Sequence, residues 1–400
     1  MGIKLKIESV MKPSGIALFA VLLSFCAWLC PDFGVLRKGF TVPERPGLLA
    51  YFILFSWYLL ILASFSVGQK LASSFPGRRA VHNLPSLDSV AVYRTLTFLA
   101  ALGAISTLFR IFSTISIPQA ALYFYLGQGN RLKNTLYANY SAGLFSLRYL
   151  VLYSASLAIY RTVRFRKLSF LNVFNIFLLA ATVLVSSRLI LIATLLVSFF
   201  LLNYGKSHIR ISITKLAFFA GGLFALLSLL NTSRNANFYE SRNLSFTEAG
   251  ISEIVTYLGS PFHVSIGAAQ RLDELTVRGP ESYRQFIDIE PTLTTNSAFV
   301  QLHEKIGYLC WPYIVVACFL MGFAFSWLAS FGRTCLLLPC GAILYGSAEL
   351  WRLDLFHEGI FIIWFVCGIA IPGAFLLFGK RRRLPAHPTR RNTELVQPSL

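Results

Sequence analysis

Long apolar runs separated by short polar segments dominate the sequence. A transmembrane helix needs about 20 predominantly apolar residues, and ten runs reach or approach that length. They cover residues 14–29, 48–67, 95–115, 144–160, 168–185, 189–204, 216–230, 308–330, 335–350 and 360–378. The pattern therefore predicts an all-α polytopic membrane protein with about ten transmembrane helices.

The first apolar run has two interpretations. Lys4, Lys6 and Lys12 precede it, as basic residues precede the apolar core of a signal peptide. No clean small-residue cleavage site follows, so we favour a first transmembrane helix. No internal repeat is visible along the chain, which disfavours transporters built from inverted repeats.

Composition and charge placement support this assignment and give it an orientation. The 400 residues are 56% hydrophobic and 13% charged, whereas soluble domains carry about 25% charged residues. With both termini in the cytoplasm, the cytoplasmic segments hold 21 of the 36 Lys and Arg residues but only three acids, Glu8, Asp88 and Glu394. Cytoplasmic loops of membrane proteins show this excess of basic residues. The net charge of +19 thus indicates topology and lipid-headgroup contact rather than nucleic-acid binding.

Two regions follow from this topology. Residues 1–379 form an integral membrane domain, and residues 380–400 form a basic cytoplasmic tail that we expect to be disordered. The domain includes one large external loop, residues 231–307, between the seventh and eighth spans. Long loops are often functional. Apolar residues at helical spacing predict an amphipathic helix over residues 247–258 on the membrane surface, starting with a capping box from Ser245 to Glu248.

External arginines are the first candidates for chemistry. Arg188 follows Ser186 and Ser187 at the start of a span, where backbone N–H groups attract anions. The rigid guanidinium fork of arginine suits phosphate. The alternative is an arginine that extends to the membrane interface without a ligand. The same two interpretations apply to the arginines of the large loop, among them Arg242, Arg278 and Arg284.

A short external loop, residues 349–359, is dense in titratable groups. His357 is a candidate base oriented by Glu358 or Asp354, and an ion pair between Arg352 and Asp354 is the equally acceptable structural alternative. Further polar or aromatic candidates lie in the large loop. They are Tyr257, Asn296, His303 and Glu304.

Several chemistries lack their sequence features. No Asp-x-Asp pair lies outside and no Walker loop is present. Arg110 and Arg148 are the arginines near span interiors, both toward the outer ends, and no acid sits at mid-membrane. A metal-dependent glycosyltransferase and an ion-coupled transporter are therefore not indicated.

Three features together carry a family resemblance. They are the Ser-Ser-Arg-Leu-Ile run at 186–190, the large late external loop, and Thr295-Asn296 leading through Ile306-Gly307 into a span with Gly322. In these features the chain resembles the Wzy-type polymerases of O-antigen and oligosaccharide repeat units. The second glycine of the family's Gly-x-x-Gly helix start is replaced here by Cys310.

The resemblance implies a function on the periplasmic face of the bacterial inner membrane. Such enzymes move a growing glycan from undecaprenyl diphosphate to the terminal sugar of a new lipid-linked repeat. They use no nucleotide sugar, cofactor or metal, and their fold is related to the membrane-embedded glycosyltransferases. Besides the undecaprenyl-diphosphate-linked oligosaccharide, the implied partners are membrane lipids, a chain-length regulator and a flippase. On the family pattern Arg188 is the strongest match, Arg242 and the other loop arginines are weaker, and Asn296 matches the family's Asn.

The sequence therefore predicts a metal-independent polysaccharide polymerase. An O-antigen ligase and a non-enzymatic lipid-linked oligosaccharide flippase or exporter remain the alternatives. The predicted catalytic residues are Arg188, Arg242, His357, His303 and Glu304. The predicted substrate-binding residues are Arg278, Arg284, Arg352, Asn296 and Tyr257.

Overall fold

The protein is a bundle of apolar helices in a computed structural model. The structure describes residues 2–6, 11–29, 46–75, 84–125, 131, 143–185, 189–206, 208–212, 214, 218, 221–222, 224–225, 228–229, 243, 245–275, 277, 279, 281–287, 289 and 297–380. The helices of this part of the chain are α1 (Pro13–Leu29), α2 (Leu48–Ser74), α3 (Val90–Phe112), α4 (Ile117–Tyr125), α5 (Val151–Phe165), α6 (Phe170–Val185), α7 (Leu189–Asn203), α8 (Phe246–Gln270), α9 (Ala298–Ile306), α10 (Cys310–Ala329), α11 (Leu337–Glu349) and α12 (Gly359–Lys380). A 3-10 helix over Leu144–Leu150 leads into α5.

The fold class agrees with an all-α membrane protein, while the number of spans stays a prediction. Within the described ranges, four helical segments are long and apolar enough to cross a membrane: Leu48–Ser74, Val90–Thr114, Ala298–Ala329 and Gly359–Leu377. Shorter apolar helices are α1, α6 and α7. Helices occupy nine of the ten predicted runs. The remaining run, residues 216–230, lies largely outside the described residues.

Two glycines bring α2 and α10 into backbone contact. A Cβ atom at Gly68 would collide with the Phe319 carbonyl, and one at Gly322 would collide with Phe65 backbone. Small residues permit such close approach between membrane helices, where van der Waals packing drives association. Trp57 extends the contact, since its ring meets Trp311 edge to face at 5.2 Å. Helix α9 packs against this helix pair, where Phe299 meets the Trp57 ring at 5.3 Å.

We expect Gly322→Val to lower the free energy of unfolding by about 1–3 kcal/mol, because overpacking a tight contact forces backbone shifts. Gly373→Val in α12 is the matched control, since it carries the same helix-propensity change into open space. Thermal unfolding in detergent should show a lower Tm for the first variant than for the second. Equal Tm values would contradict the close contact.

Helix α8 corrects the sequence prediction for the large loop. Its capping box is confirmed, because Ser245 Oγ accepts from Glu248 N and the Glu248 carboxylate accepts from Ser245 N. The expectation of a surface helix ending at residue 258 is wrong. Helix α8 continues to Gln270 and its second half is buried, with Phe262 fully inside the core. The small and polar residues of this half lower its hydropathy, so packing rather than an apolar run buries it.

One end of the bundle gathers basic residues and is called the basic end below. Arg164 forms a 3.0 Å ion pair with Asp88, and Arg161 donates to the Asp88 carbonyl at 2.9 Å. The backbone N–H of Leu87 donates to the carbonyl of Arg333 at 3.2 Å. Three segments that the charge pattern assigns to the cytoplasm therefore meet in space. The side of the membrane that they face stays a prediction.

Two short strands were not expected from the sequence. Strand β1 (Gly2–Lys6) pairs antiparallel with β2 (His208–Ser212), with Lys4 opposite Arg210. Both belong to segments that the charge pattern assigns to the cytoplasm. The pairing ties the start of the chain to the segment that follows α7.

Candidate functional site

The short link between α11 and α12 lies at the end of the bundle opposite the basic end. Cys335, just before α11, donates its backbone N–H to Pro85 at the basic end, so α11 runs away from that end and α12 runs back. The link, residues 350–358, meets side chains from α9 and α10. Five of these residues form what we call the acid–base cluster: Lys305, Tyr313, Asp354, His357 and Glu358.

Asp354 is the buried anchor of the acid–base cluster. It is 0% exposed. Its Oδ1 accepts the backbone N–H of Phe356 at 3.0 Å, and its Oδ2 accepts the Tyr313 hydroxyl at 2.9 Å. The same Oδ2 lies 3.0 Å from Nδ1 of His357. These donors satisfy a carboxylate that would otherwise be costly to bury. They hold Asp354 as a fixed acceptor for the imidazole.

His357 is oriented by Asp354 and partly exposed. Its side chain is 30% exposed, and its Nε2 lies 3.2 Å from a Glu358 carboxylate oxygen. Hydrogen bonds to Asp354 and Glu358 raise the pKa of His357 to about 9, despite opposing effects of burial and of Lys305. The imidazolium therefore predominates at neutral pH. The sequence prediction named Glu358 or Asp354 as the orienting acid, and His357 contacts both.

Glu358 and Lys305 complete the cluster on its exposed side. The hydrogen bond from His357 lowers the pKa of Glu358, so this carboxylate is ionised at neutral pH. Lys305 Nζ lies 2.7 Å from Nε2 of His357, although the two residues are 52 positions apart in sequence. Lys305 lies in the last turn of α9, which ends at Gly307, where the φ of +59° is one that side-chain-bearing residues rarely adopt.

Arg352 belongs to a separate ion pair. Its Nε and Nη2 donate to one oxygen of Glu349 at 3.0 and 2.7 Å, so the predicted partner Asp354 is wrong. Burial disfavours the charge of Arg352, but Glu349 together with Tyr257 and Tyr345 outweighs burial, and the pKa of Arg352 lies above its ordinary value. The guanidinium covers the Tyr257 ring at 4.9 Å. Tyr257 in turn meets Trp351 edge to face at 6.1 Å. Two predicted substrate-binding residues, Arg352 and Tyr257, thus contact each other.

His303 and Glu304 are buried in contacts that support the fold. His303 is 4% exposed, lies 3.1 Å from the Phe299 carbonyl through Nδ1, and packs against the rings of Trp57 and Trp311. Glu304 accepts from the Ser282 hydroxyl at 2.7 Å and so holds the 3-10 turn Ser282–Gln285 against α9. Neither side chain reaches the acid–base cluster by a described contact. Their assignment as catalytic residues stays a prediction.

The predicted arginines are described only in part. Arg284 pairs with Glu281 at 2.7 Å on the turn that Glu304 holds. Arg188, Arg242, Arg278 and Asn296 lie outside the described residues, so their roles stay predictions. Across the described ranges, no group of three His, Cys, Asp or Glu side chains is arranged to hold a metal ion.

Sequence reasoning missed Tyr313 and the role of Lys305. Tyr313 lies inside an apolar run, and Lys305 is one of several charges in a long loop. Neither is near His357 in sequence, so the packing of α9 and α10 against the α11–α12 link brings them together. Comparison with protein families, with curated proteins and with solved structures gives no significant match. The functional argument therefore rests on the residues and their geometry.

Proposed function

We propose that the protein is a membrane glycosyltransferase that polymerises oligosaccharide repeats carried on undecaprenyl diphosphate at the periplasmic face of a bacterial inner membrane. The observation that carries the proposal is the acid–base cluster, which places an ionised carboxylate beside an oriented imidazolium at the end of the bundle opposite the basic end. The positive-inside rule puts the basic end in the cytoplasm and the cluster on the outer side. The family resemblance supplies the substrate.

The reaction replaces the bond between the anomeric carbon and the lipid diphosphate by a glycosidic bond to the new repeat. A hydroxyl of the new repeat attacks the anomeric carbon of the growing glycan. The bond from that carbon to the lipid diphosphate breaks, and undecaprenyl diphosphate leaves with the bonding electrons. The hydroxyl proton goes to the Glu358 carboxylate. General-base assistance of this kind contributes typically ~10²–10⁴-fold.

Each remaining cluster residue has a role in this scheme. Asp354 positions His357, and the imidazolium places positive charge where the diphosphate gains negative charge. His357 is a cation at neutral pH, so Glu358 replaces it as our candidate base. Arg188, with Arg242 and the other loop arginines, remains the predicted clamp on the diphosphate. Metal independence is part of the proposal, and Asp354 already accepts from His357, Tyr313 and the backbone N–H of Phe356.

The decisive experiment reconstitutes the purified full chain in vesicles with synthetic lipid-diphosphate-linked repeats and scores the glycan products on a gel. We expect a ladder of lipid-linked chains that a chelator leaves unchanged. A ladder that is lost with chelator and restored by a divalent cation would overturn the metal-free mechanism. Vesicles without any ladder, but with repeats moved across the bilayer, would point to a flippase. Transfer only to an added lipid A-type acceptor would point to a ligase.

A further inference from the structure

Lys305 and His357 present two nitrogen atoms to the same point. Nζ of Lys305 and Nε2 of His357 are 2.7 Å apart, and they come from α9 and from the α11–α12 link. Lys305 is exposed and His357 is half-buried, so an external ligand reaches both. The two nitrogens are in direct contact, so an oxygen atom that accepts from both lies beside the pair, and the nitrogens move apart to admit it.

The neighbours of Nε2 impose incompatible demands on it. Contact with the Lys305 ammonium requires Nε2 to accept, which only a neutral ring does. Contact with Glu358 at 3.2 Å requires Nε2 to donate. Nδ1 keeps its proton and donates it in a hydrogen bond to Asp354. The neutral ring can therefore accept from Lys305 through Nε2, whereas the imidazolium can donate to Glu358. An anionic oxygen resolves the conflict, since it accepts from Lys305 and from the imidazolium at once.

We propose that Lys305 and His357 together bind a phosphoryl oxygen of a phosphate or diphosphate ester, and that this oxygen displaces Glu358 from Nε2. The inference deepens the proposed function, on which the identity of the ester rests. Charge-assisted hydrogen bonds to phosphate are among the strong ones, so exchange of one anionic partner for another is favourable. The site lies beside Tyr313 and Asp354, which keep the imidazole in place.

Displacement has a consequence for catalysis. The hydrogen bond from His357 is the first cause of the lowered pKa of Glu358. When phosphate takes over Nε2, Glu358 loses that bond, its pKa rises, and it becomes a stronger base. Binding of the donor would therefore activate the group that deprotonates the acceptor. Glu358 therefore stays a weak base until the diphosphate leaving group is bound.

Substitutions of Lys305 and Glu358 should change the affinity for the ligand in opposite directions, which tests the proposal. We measure equilibrium binding of a short-chain prenyl diphosphate to the detergent-purified full chain in metal-free buffer by calorimetry. Lys305→Gln should weaken binding about tenfold or more, the loss of one charge-assisted contact. Glu358→Gln should strengthen binding about threefold or more, because it removes the competing carboxylate. Lys206→Gln and Glu274→Gln, at exposed positions elsewhere, should leave the affinity unchanged.

Two further ligands and a stability check complete the test. The matching prenyl alcohol should bind at least tenfold more weakly, and equal binding would overturn a phosphate site. Inorganic pyrophosphate that binds as tightly as the ester and responds to the same variants would identify a free-anion site rather than a lipid one. Unchanged affinity in both cluster variants would overturn the proposal, provided that their Tm values match the wild type. Binding is read without turnover, so this result is independent of whether a ladder forms.

Discussion

Glu358→Gln is expected to reduce glycan transfer by about 10²–10⁴-fold, the range lost when a general acid–base group is removed. The amide keeps the size of the side chain but cannot take a proton from the acceptor hydroxyl. The side chain is 39% exposed, so the fold should tolerate the change. Single-turnover transfer between a labelled donor and an excess of acceptor, followed by chromatography of the products, measures the chemical step.

Two comparisons separate a lost base from a general defect. Glu274→Gln, an exposed acid away from the cluster, should retain wild-type transfer. Glu358→Asp keeps the carboxylate at a shorter reach and should recover part of the rate. Transfer by Glu358→Gln within threefold of wild type would remove Glu358 from the mechanism, while the membrane fold and the ladder assay would still stand.

Asp354→Asn should alter both stability and pH dependence. Asp354 is fully buried and accepts three hydrogen bonds, so replacing its charge beside an imidazolium should cost about 2–4 kcal/mol. Tyr313→Phe removes one of the three bonds and should cost about 1 kcal/mol. Thermal unfolding in detergent compares the two. Equal Tm values for Asp354→Asn and wild type would contradict the buried anchor.

The pH profile distinguishes positioning from a purely structural role. His357 is protonated below its pKa of about 9, so wild-type transfer should hold through neutral pH and fall as pH rises through that value. The hydrogen bond to Asp354 is the first cause of the raised pKa, so its loss in Asp354→Asn should move the alkaline fall toward neutral pH. Glu358 and Lys305 also contact the imidazole, Tyr313 contacts Asp354, and all three residues are unchanged in the variant. An alkaline limb that stays in place would show that Asp354 does not act through His357.

Apolar run length was enough to predict most of the helices. Nine predicted runs are helical because a run of this length leaves the backbone no partners except its own. The second half of helix α8 was not predicted, because the residues around His263 and Ser265 are too polar to form an apolar run. Contacts with neighbouring helices bury this half. Tertiary packing decides such helices.

The candidate site was predictable only where its residues are local in sequence. Asp354, His357 and Glu358 lie within five residues, so their density in a short link was visible. Lys305 joins them from a different helix through the turn at Gly307, and no spacing rule connects positions 52 apart. His303 and Glu304 were equally good candidates by residue type, and the sequence did not reveal that both are buried.

The contact between α1 and α8 can form only long after α1 has been synthesised. Ser24 donates its hydroxyl to the carbonyl of Leu258, which lies 234 residues later in the chain. At translation rates of about 5–20 residues per second, α1 emerges roughly 10–50 s before its partner exists. During that interval α1 can pack against α2, as the Phe25 and Phe55 rings do at 6.1 Å, but the face that meets α8 is left to lipid or the insertion machinery. A helix made well before α8 therefore completes its packing late, and a ribosome stalled before residue 258 would leave α1 without the contact to Leu258.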